Sequence, residues 1–121
     1  MPLGISTGFD QRYDCRTCDV TDMDWHDDFD RRTWRCSTCH EPIWIHMANE
    51  AGDTQLVERH PACELIAGDY IVLEHDISLG LFEVKASQPA MGKGNKWYLG
   101  IEQNGHHRPP RDQYYNCMPR G

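Results

Sequence analysis

Three pairs of metal-ligand side chains, each with two residues between its members, constrain this 121-residue chain more than any other feature. The pairs are Cys15 with Cys18, Cys36 with Cys39, and His60 with Cys63. This spacing lets both side chains of a pair reach one tetrahedral ion. A module of fewer than about 70 to 80 residues seldom folds on its apolar core alone, so we expect these ligands to stabilise it. The sequence therefore predicts one or two zinc ions, Zn²⁺.

Zinc is preferred over disulfide bonds because of the expected compartment. The first ten residues contain neither a basic segment nor a continuous apolar one, so they do not form a secretory signal. We therefore expect a cytoplasmic protein whose cysteines stay reduced and bind metal. The longest apolar runs, such as residues 70–73, fall far short of the roughly 18 residues that a membrane span requires. The membrane is accordingly not an expected partner.

Two pairings of these ligands are compatible with the spacing. The first joins the four cysteines of residues 15–39 as a zinc ribbon, with 17 residues between the two pairs. The second joins Cys36 and Cys39 to His60 and Cys63. In this second case the first two ligands lie in a strand and turn at residues 34–45. A returning strand at 55–58 follows, and a short helix beginning at Pro61 comes with the last two ligands. This order resembles a treble-clef zinc finger over residues 34–66.

We favour the treble-clef pairing because a helix beginning at His60 places His60 and Cys63 on one face. Cys15 and Cys18 would then need other partners, and the candidates for a second ion are the three histidines His26, His40 and His46. A shared or interleaved arrangement that uses all three pairs is a further alternative. Either pairing gives four ligands rich in thiolate, which leave no open position for water. The site is therefore predicted to be structural, and the protein is not expected to be an enzyme.

The two halves of the chain differ in charge and in pattern. Residues 1–67 hold 13 acidic and 6 basic side chains, whereas residues 68–121 hold 6 of each. Strand-like runs at residues 70–74, 81–85 and 96–101 alternate with turns rich in glycine. With a helical turn at 110–115, this second half resembles an SH3-like barrel. The predicted fold is thus small and mainly β or α+β, with a zinc module at 1–67 and a barrel at 68–121.

An aspartate-rich stretch from Asp19 to Asp30 suggests how the protein acts. Calcium binding is disfavoured because the stretch lacks the glycine and the terminal glutamate of a calcium loop. Clustered carboxylates speed association with a cationic surface, and aromatic side chains among them can anchor the contact. We therefore expect a protein-binding adaptor or regulator that contacts a basic partner. The expected contact residues are Asp22, Asp24, Trp25, Asp27, Asp28 and Phe29.

Nucleic acid binding is the alternative, and the net charge of −7 disfavours it. The basic residues available in the second half are Lys85, Lys93, Lys96, Arg108, Arg111 and Arg120, with Trp97, Tyr114 and Tyr115 beside them for stacking on bases.

His106 and His107 lack a recognisable catalytic partner in the sequence, and Cys117 is predicted to be a small buried apolar residue.

Overall fold

The computed structural model describes residues 7–25, 27–73, 76–92 and 94–120. Within these ranges the chain is mostly β, with ten strands and two short 3₁₀ helices. The strands are β1 (Asp10–Asp14), β2 (Phe29–Asp30), β3 (Arg35–Cys36), β4 (Trp44–Ala48), β5 (Thr54–Pro61), β6 (Tyr70–Ile71), β7 (Phe82–Pro89), β8 (Trp97–Ile101), β9 (Gly105–His107) and β10 (Tyr114–Cys117). The 3₁₀ helices are Ala62–Glu64 and Ile77–Leu79.

Eight of these strands form one antiparallel sheet in the order β1-β4-β5-β10-β6-β7-β8-β9, and β2 pairs with β3 in a separate hairpin. The last strand, β10, lies between β5 and β6, with Tyr115 opposite His60 and Cys117 opposite Ile71. The sheet therefore continues across the predicted boundary between residues 67 and 68. Two separate domains, 1–67 and 68–121, stay a prediction.

The core consists of two clusters of buried side chains. One cluster packs the apolar side chains around the hairpin and β4, and it includes Ile43, Ile45 and Val57. The other packs Leu99, Ile101 and Cys117 with the side chains of β6 and β7. Successive side chains along a strand point to opposite faces, so β10 contributes Tyr114 to the first cluster and Tyr115 and Cys117 to the second. Cys117 is fully buried, as the sequence predicts.

A buried ion pair joins the first strand to the middle of the sheet. Arg59 on β5 is fully buried and donates hydrogen bonds to both carboxylate oxygens of Asp10, at 2.6 and 2.9 Å. Its Nε donates to Asn116 Oδ1 at 2.7 Å, and its guanidinium lies 4.2 Å from the ring centroid of Trp34. Every face of this cation is thus occupied by a protein group, which fixes β1, β5 and β10 relative to one another.

Three sequence predictions need correction. Within the described residues the eight-stranded sheet stays open, with β1 and β9 as its edges, so the expected SH3-like barrel is not closed. The helix expected from Pro61 is a single 3₁₀ turn, Ala62–Glu64, because β5 continues through His60 and Pro61 to pair with β10. The helical turn expected before the last strand gives way to residues 114–117 as β10 itself.

None of the helices in the described ranges has both the length and the apolar character that crossing a membrane would demand.

Candidate metal centre

Two turns of nearly identical geometry present the four cysteines of residues 15–39. In the first, Cys15 and Val20 exchange backbone hydrogen bonds, and the Cys18 amide donates to Cys15 Sγ at 3.4 Å. In the second, the Cys36 amide donates to the Glu41 carbonyl, and the Thr38 amide donates to Cys36 Sγ at 3.4 Å. Each turn thereby closes its backbone while leaving two sulfur atoms on the same side.

A residue in the left-handed region follows each Cys-x₂-Cys pair. Asp19, after Cys18, has φ of 55°, and His40, after Cys39, has φ of 62°. This conformation is unfavourable for residues with a Cβ, although Asp, Asn and His adopt it more readily than most. The repeated backbone shape marks the two turns as local copies of one motif. Sequence reasoning found the cysteine spacing but missed this repeat, whose signal is the residue type after the second cysteine.

The two turns face each other across a small space. Cys15 Sγ lies 3.5 Å from Cys39 Sγ, and Cys18 Sγ lies 3.9 Å from Cys36 Sγ. All four sulfur atoms lie within 4.8 Å of one another. In a tetrahedral site with metal–sulfur bonds of about 2.3 Å, the sulfur atoms are about 3.8 Å apart. Because all four cysteines are free thiols, the arrangement is consistent with a metal site and contains no disulfide.

Hydrogen bonding and burial shift the pKa values of three of these thiols in different directions. Burial acts to raise the pKa of Cys36, but the amide groups of Cys39 and Thr38 outweigh it and lower that pKa to about 7. The sulfur of Cys39, together with burial, raises the pKa of Cys18 to about 12. Burial also raises the pKa of Cys15. Cys36 therefore ionises more readily than Cys15 and Cys18, and a bound divalent cation would displace the protons of those two thiols.

A cluster of four aromatic side chains packs against the cysteine turns. Tyr13, Trp25, Phe29 and Trp34 pack with ring centroids 4.9 to 6.3 Å apart. Cys15 and Cys36 belong to the same packed cluster, and Phe29 lies opposite Cys36 in the hairpin. These contacts hold the first cysteine of each turn in place, so the sulfur positions depend on the aromatic core.

The structure does not bring His60 and Cys63 to this centre. Among the described residues, the four cysteines of residues 15–39 are the group whose ligand atoms come together, which is the zinc-ribbon set and not the favoured treble-clef set. His60 is buried, and its Nε2 lies 2.8 Å from Glu58 Oε2. Cys63 lies in the 3₁₀ turn, where its amide donates to the Arg111 carbonyl. Pairing of His60 with β10 turns its side chain to the other face of the sheet.

Of the three histidines proposed for a second ion, the structure describes His40 and His46, and neither belongs to the group of converging ligand atoms. His46 on β4 is 2.7 Å from Asp14 Oδ2, and Arg12 donates to the same carboxylate. Burial of Asp14 opposes ionisation, but these groups and the Asp22 amide outweigh it and lower the pKa of Asp14. His40 is exposed beside the second turn. His26 lies outside the described residues.

The predicted contact residues separate into exposed and buried groups. Asp22, Asp24 and Asp27 are exposed, Trp25 and Asp28 are half-buried, and Phe29 is 4% exposed. The Asp28 side chain accepts a hydrogen bond from the Asp24 amide at 2.7 Å, which closes the loop on itself. Arg31 lies 5.3 Å from the ring centroid of Trp25. The aspartates therefore line the outside of the loop, while Phe29 belongs to the core.

Comparisons with family models, with curated proteins and with solved structures gave no match to this chain. The fold and the site accordingly define a class only: a mainly β protein with a large antiparallel sheet and a four-cysteine cluster of metal-site geometry.

Proposed function

We propose that this protein is a non-enzymatic, zinc-stabilised binding module of zinc-ribbon type that contacts a basic partner through its aspartate-rich loop. The observation that carries the metal part is the convergence of four free sulfur atoms within 4.8 Å. Zinc suits this donor set because a d¹⁰ ion imposes no geometry beyond the tetrahedron and favours thiolate. Four protein ligands leave no position for substrate, so the ion has a structural role.

A structural zinc ion would also fix the loop between the two cysteine pairs. A zinc ion joining Cys18 to Cys36 closes residues 19–35 into a loop whose ends are fixed, and the aspartates stand on its outer side. Within this loop the exposed carboxylates are those of Asp19, Asp22, Asp24, Asp27 and Asp30. Such a concentration of one charge raises the association rate of a cationic partner and makes it sensitive to salt. Trp25, half-buried at the centre of the loop, supplies an apolar contact.

Binding of a fluorescein-labelled octalysine peptide tests the proposal. We expect wild-type protein loaded with zinc to bind it with an association rate that falls steeply with added salt. The variant Asp22→Asn, Asp24→Asn, Asp27→Asn should bind at least about 10-fold more slowly, because it removes three exposed charges from the loop. Removing zinc with a chelator should also weaken binding, since the loop ends are then released.

A matched control keeps the number of removed charges equal. Glu41, Glu50 and Asp53 are exposed acidic residues outside the loop. The variant Glu41→Gln, Glu50→Gln, Asp53→Asn has the same net charge as the loop variant and should bind octalysine nearly as wild type does. Equal loss in both variants would show that total charge, and not the loop, determines binding, and the proposed contact surface would be wrong.

A further inference from the structure

The outer face of the β8–β9 ribbon differs in chemistry from the rest of the molecule. In the register of this pair Gly100 lies opposite His106, and the same register places Tyr98 opposite Arg108 and Lys96 opposite Pro110. Directly opposite residues of an antiparallel pair share a face. Leu99 and Ile101 point to the core, so Lys96 and Tyr98 point outward with His106 and Arg108.

A pair of aromatic rings lies at the centre of this face. The rings of Tyr98 and His106 are stacked, with centroids 5.6 Å apart and planes inclined by 21°. Gly100 lies beside this pair, since a Cβ built there would lie 3.8 Å from Tyr98 Cε1 and 3.4 Å from Ala86 Cβ, both ordinary contact distances. The tyrosine ring therefore lies next to the backbone of Gly100, half-buried, while His106 is exposed. Aromatic rings in such a position can stack on a planar ring from solution.

Positive charge flanks the aromatic pair. Lys96 and Arg108 are exposed, and in the described part of the chain neither side chain forms an ion pair. Arg111 is nearby, since its amide donates to Asn95 next to Lys96. Lys85, by contrast, lies on the neighbouring strand β7 and is paired at 2.9 Å with Glu83. Lys96 and Arg108 therefore lie at the Tyr98 end of the ribbon.

The aromatic residues expected from the sequence to stack on bases are used elsewhere. Trp97 points to the inner face and donates from Nε1 to Ser87 Oγ at 2.7 Å. Tyr114 packs against the metal-side core, and Tyr115 packs against the other core cluster. The stacking surface is instead made by Tyr98 and His106, which sequence reasoning did not select for this role.

We propose that the outer face of the β8–β9 ribbon binds single-stranded nucleic acid, with a base stacked on the Tyr98–His106 pair and backbone phosphates beside Lys96 and Arg108. Single strands are favoured because their unpaired bases expose a planar surface, whereas in a duplex the bases are stacked on one another. The face lies at the β9 edge of the sheet, and the aspartate-rich loop begins beyond β1 at the opposite edge. The two binding surfaces are therefore separate, and this inference does not depend on the proposed partner of the acidic loop.

Fluorescence anisotropy with labelled U12 and dT12 oligonucleotides tests the proposal, each at several salt concentrations. Both strands should bind, with a slope of log affinity against log salt of about −1.5 to −2, corresponding to two or three phosphate contacts. Tyr98→Ala should weaken binding about 10-fold or more, because stacking on one base is lost. Tyr98→Phe retains the ring and should bind within about 2-fold of wild type. Lys85→Ala, which removes a paired cation on the neighbouring strand β7, should also bind as wild type.

Heparin separates this site from a merely cationic surface, since it carries negative charge but no bases. Labelled heparin should bind more weakly than U12 and should be insensitive to Tyr98→Ala. The proposal would be overturned if neither oligonucleotide bound at low salt. It would also be overturned if wild type and Tyr98→Ala bound equally while circular dichroism showed the variant to be folded. Stronger binding of the same oligonucleotide in duplex form is the third contradicting result.

Discussion

Replacing Asp10 with alanine tests the energetic importance of the buried ion pair. The side chains of Arg59 and Asp10 are 0% and 2% exposed, so removing the carboxylate leaves a guanidinium without its counterion and without access to water. Tyr13 also loses the acceptor for its hydroxyl, which lies 2.7 Å from Asp10 Oδ2. Breaking a buried pair in this way costs about 3 to 5 kcal/mol. We expect Asp10→Ala to be destabilised by that amount.

Urea denaturation followed by tryptophan fluorescence measures this cost. With an m-value of about 2 kcal/mol per molar urea, the unfolding midpoint should fall by about 1.5 to 2.5 M. The control is Glu64→Ala, whose partner Arg35 lies 3.1 Å away in a pair with side chains 35% and 47% exposed. Exposed pairs of this kind contribute less than about 1 kcal/mol, so the midpoint of this variant should hardly move.

A second variant distinguishes a stranded charge from lost packing. In Asp10→Ala, Arg59→Met the buried cation is replaced by an apolar side chain, and we expect it to be more stable than Asp10→Ala alone. A cost below about 1 kcal/mol for Asp10→Ala would refute the argument. So would a double variant less stable than the single one, since the penalty would then arise from packing and not from the unpaired charge.

Three further variants test other parts of the structure. Phe29→Ala removes a buried ring that contacts Tyr13, Trp25 and Trp34, and should cost about 3 to 5 kcal/mol in urea unfolding; a loss under about 1 kcal/mol would place Phe29 outside the core. Asp14→Asn removes a carboxylate whose pKa is lowered in the folded state, so its contribution to stability is present above about pH 3.9 and is lost as the pH falls through the lowered value. The difference in free energy of unfolding between wild type and Asp14→Asn should therefore decrease from pH 7 to pH 3. A difference that stays constant over this range would contradict the prediction. His40→Gly relieves a left-handed backbone at φ of 62° and should raise stability by about 0.5 to 1 kcal/mol without changing zinc content; reduced zinc content would instead make His40 a ligand.

Local patterns predicted much of the secondary structure and the ligands. The apolar and β-branched runs at residues 43–45, 55–58, 81–85 and 96–101 all fall in or overlap strands, because such runs suit a half-buried sheet. Each Cys-x₂-Cys turn is built from contacts within a few residues, so the two ligands of each pair are visible in the sequence. These features depend on short stretches of sequence and are visible there.

The features that sequence reasoning missed depend on contacts between distant residues. Pairing of β10 with β5 extends that strand through Pro61 and removes the helix expected there, so His60 is not presented beside Cys36. Nothing near Arg59 indicates that this charged residue is buried, since its partners Asp10 and Asn116 are 49 and 57 positions away. Spacing alone also could not choose between two ligand sets that share Cys36 and Cys39.

Zinc content per chain tests the central claim most directly. Native mass spectrometry of wild type, Cys15→Ser, Cys36→Ser, His60→Ala and Cys63→Ser should find one zinc ion in wild type and in the last two variants, and a strongly reduced zinc content in the first two. Wild-type protein purified with zinc but holding none, or zinc that is lost on changing His60 or Cys63 and retained on changing Cys15, would contradict a site made by the four cysteines of residues 15–39.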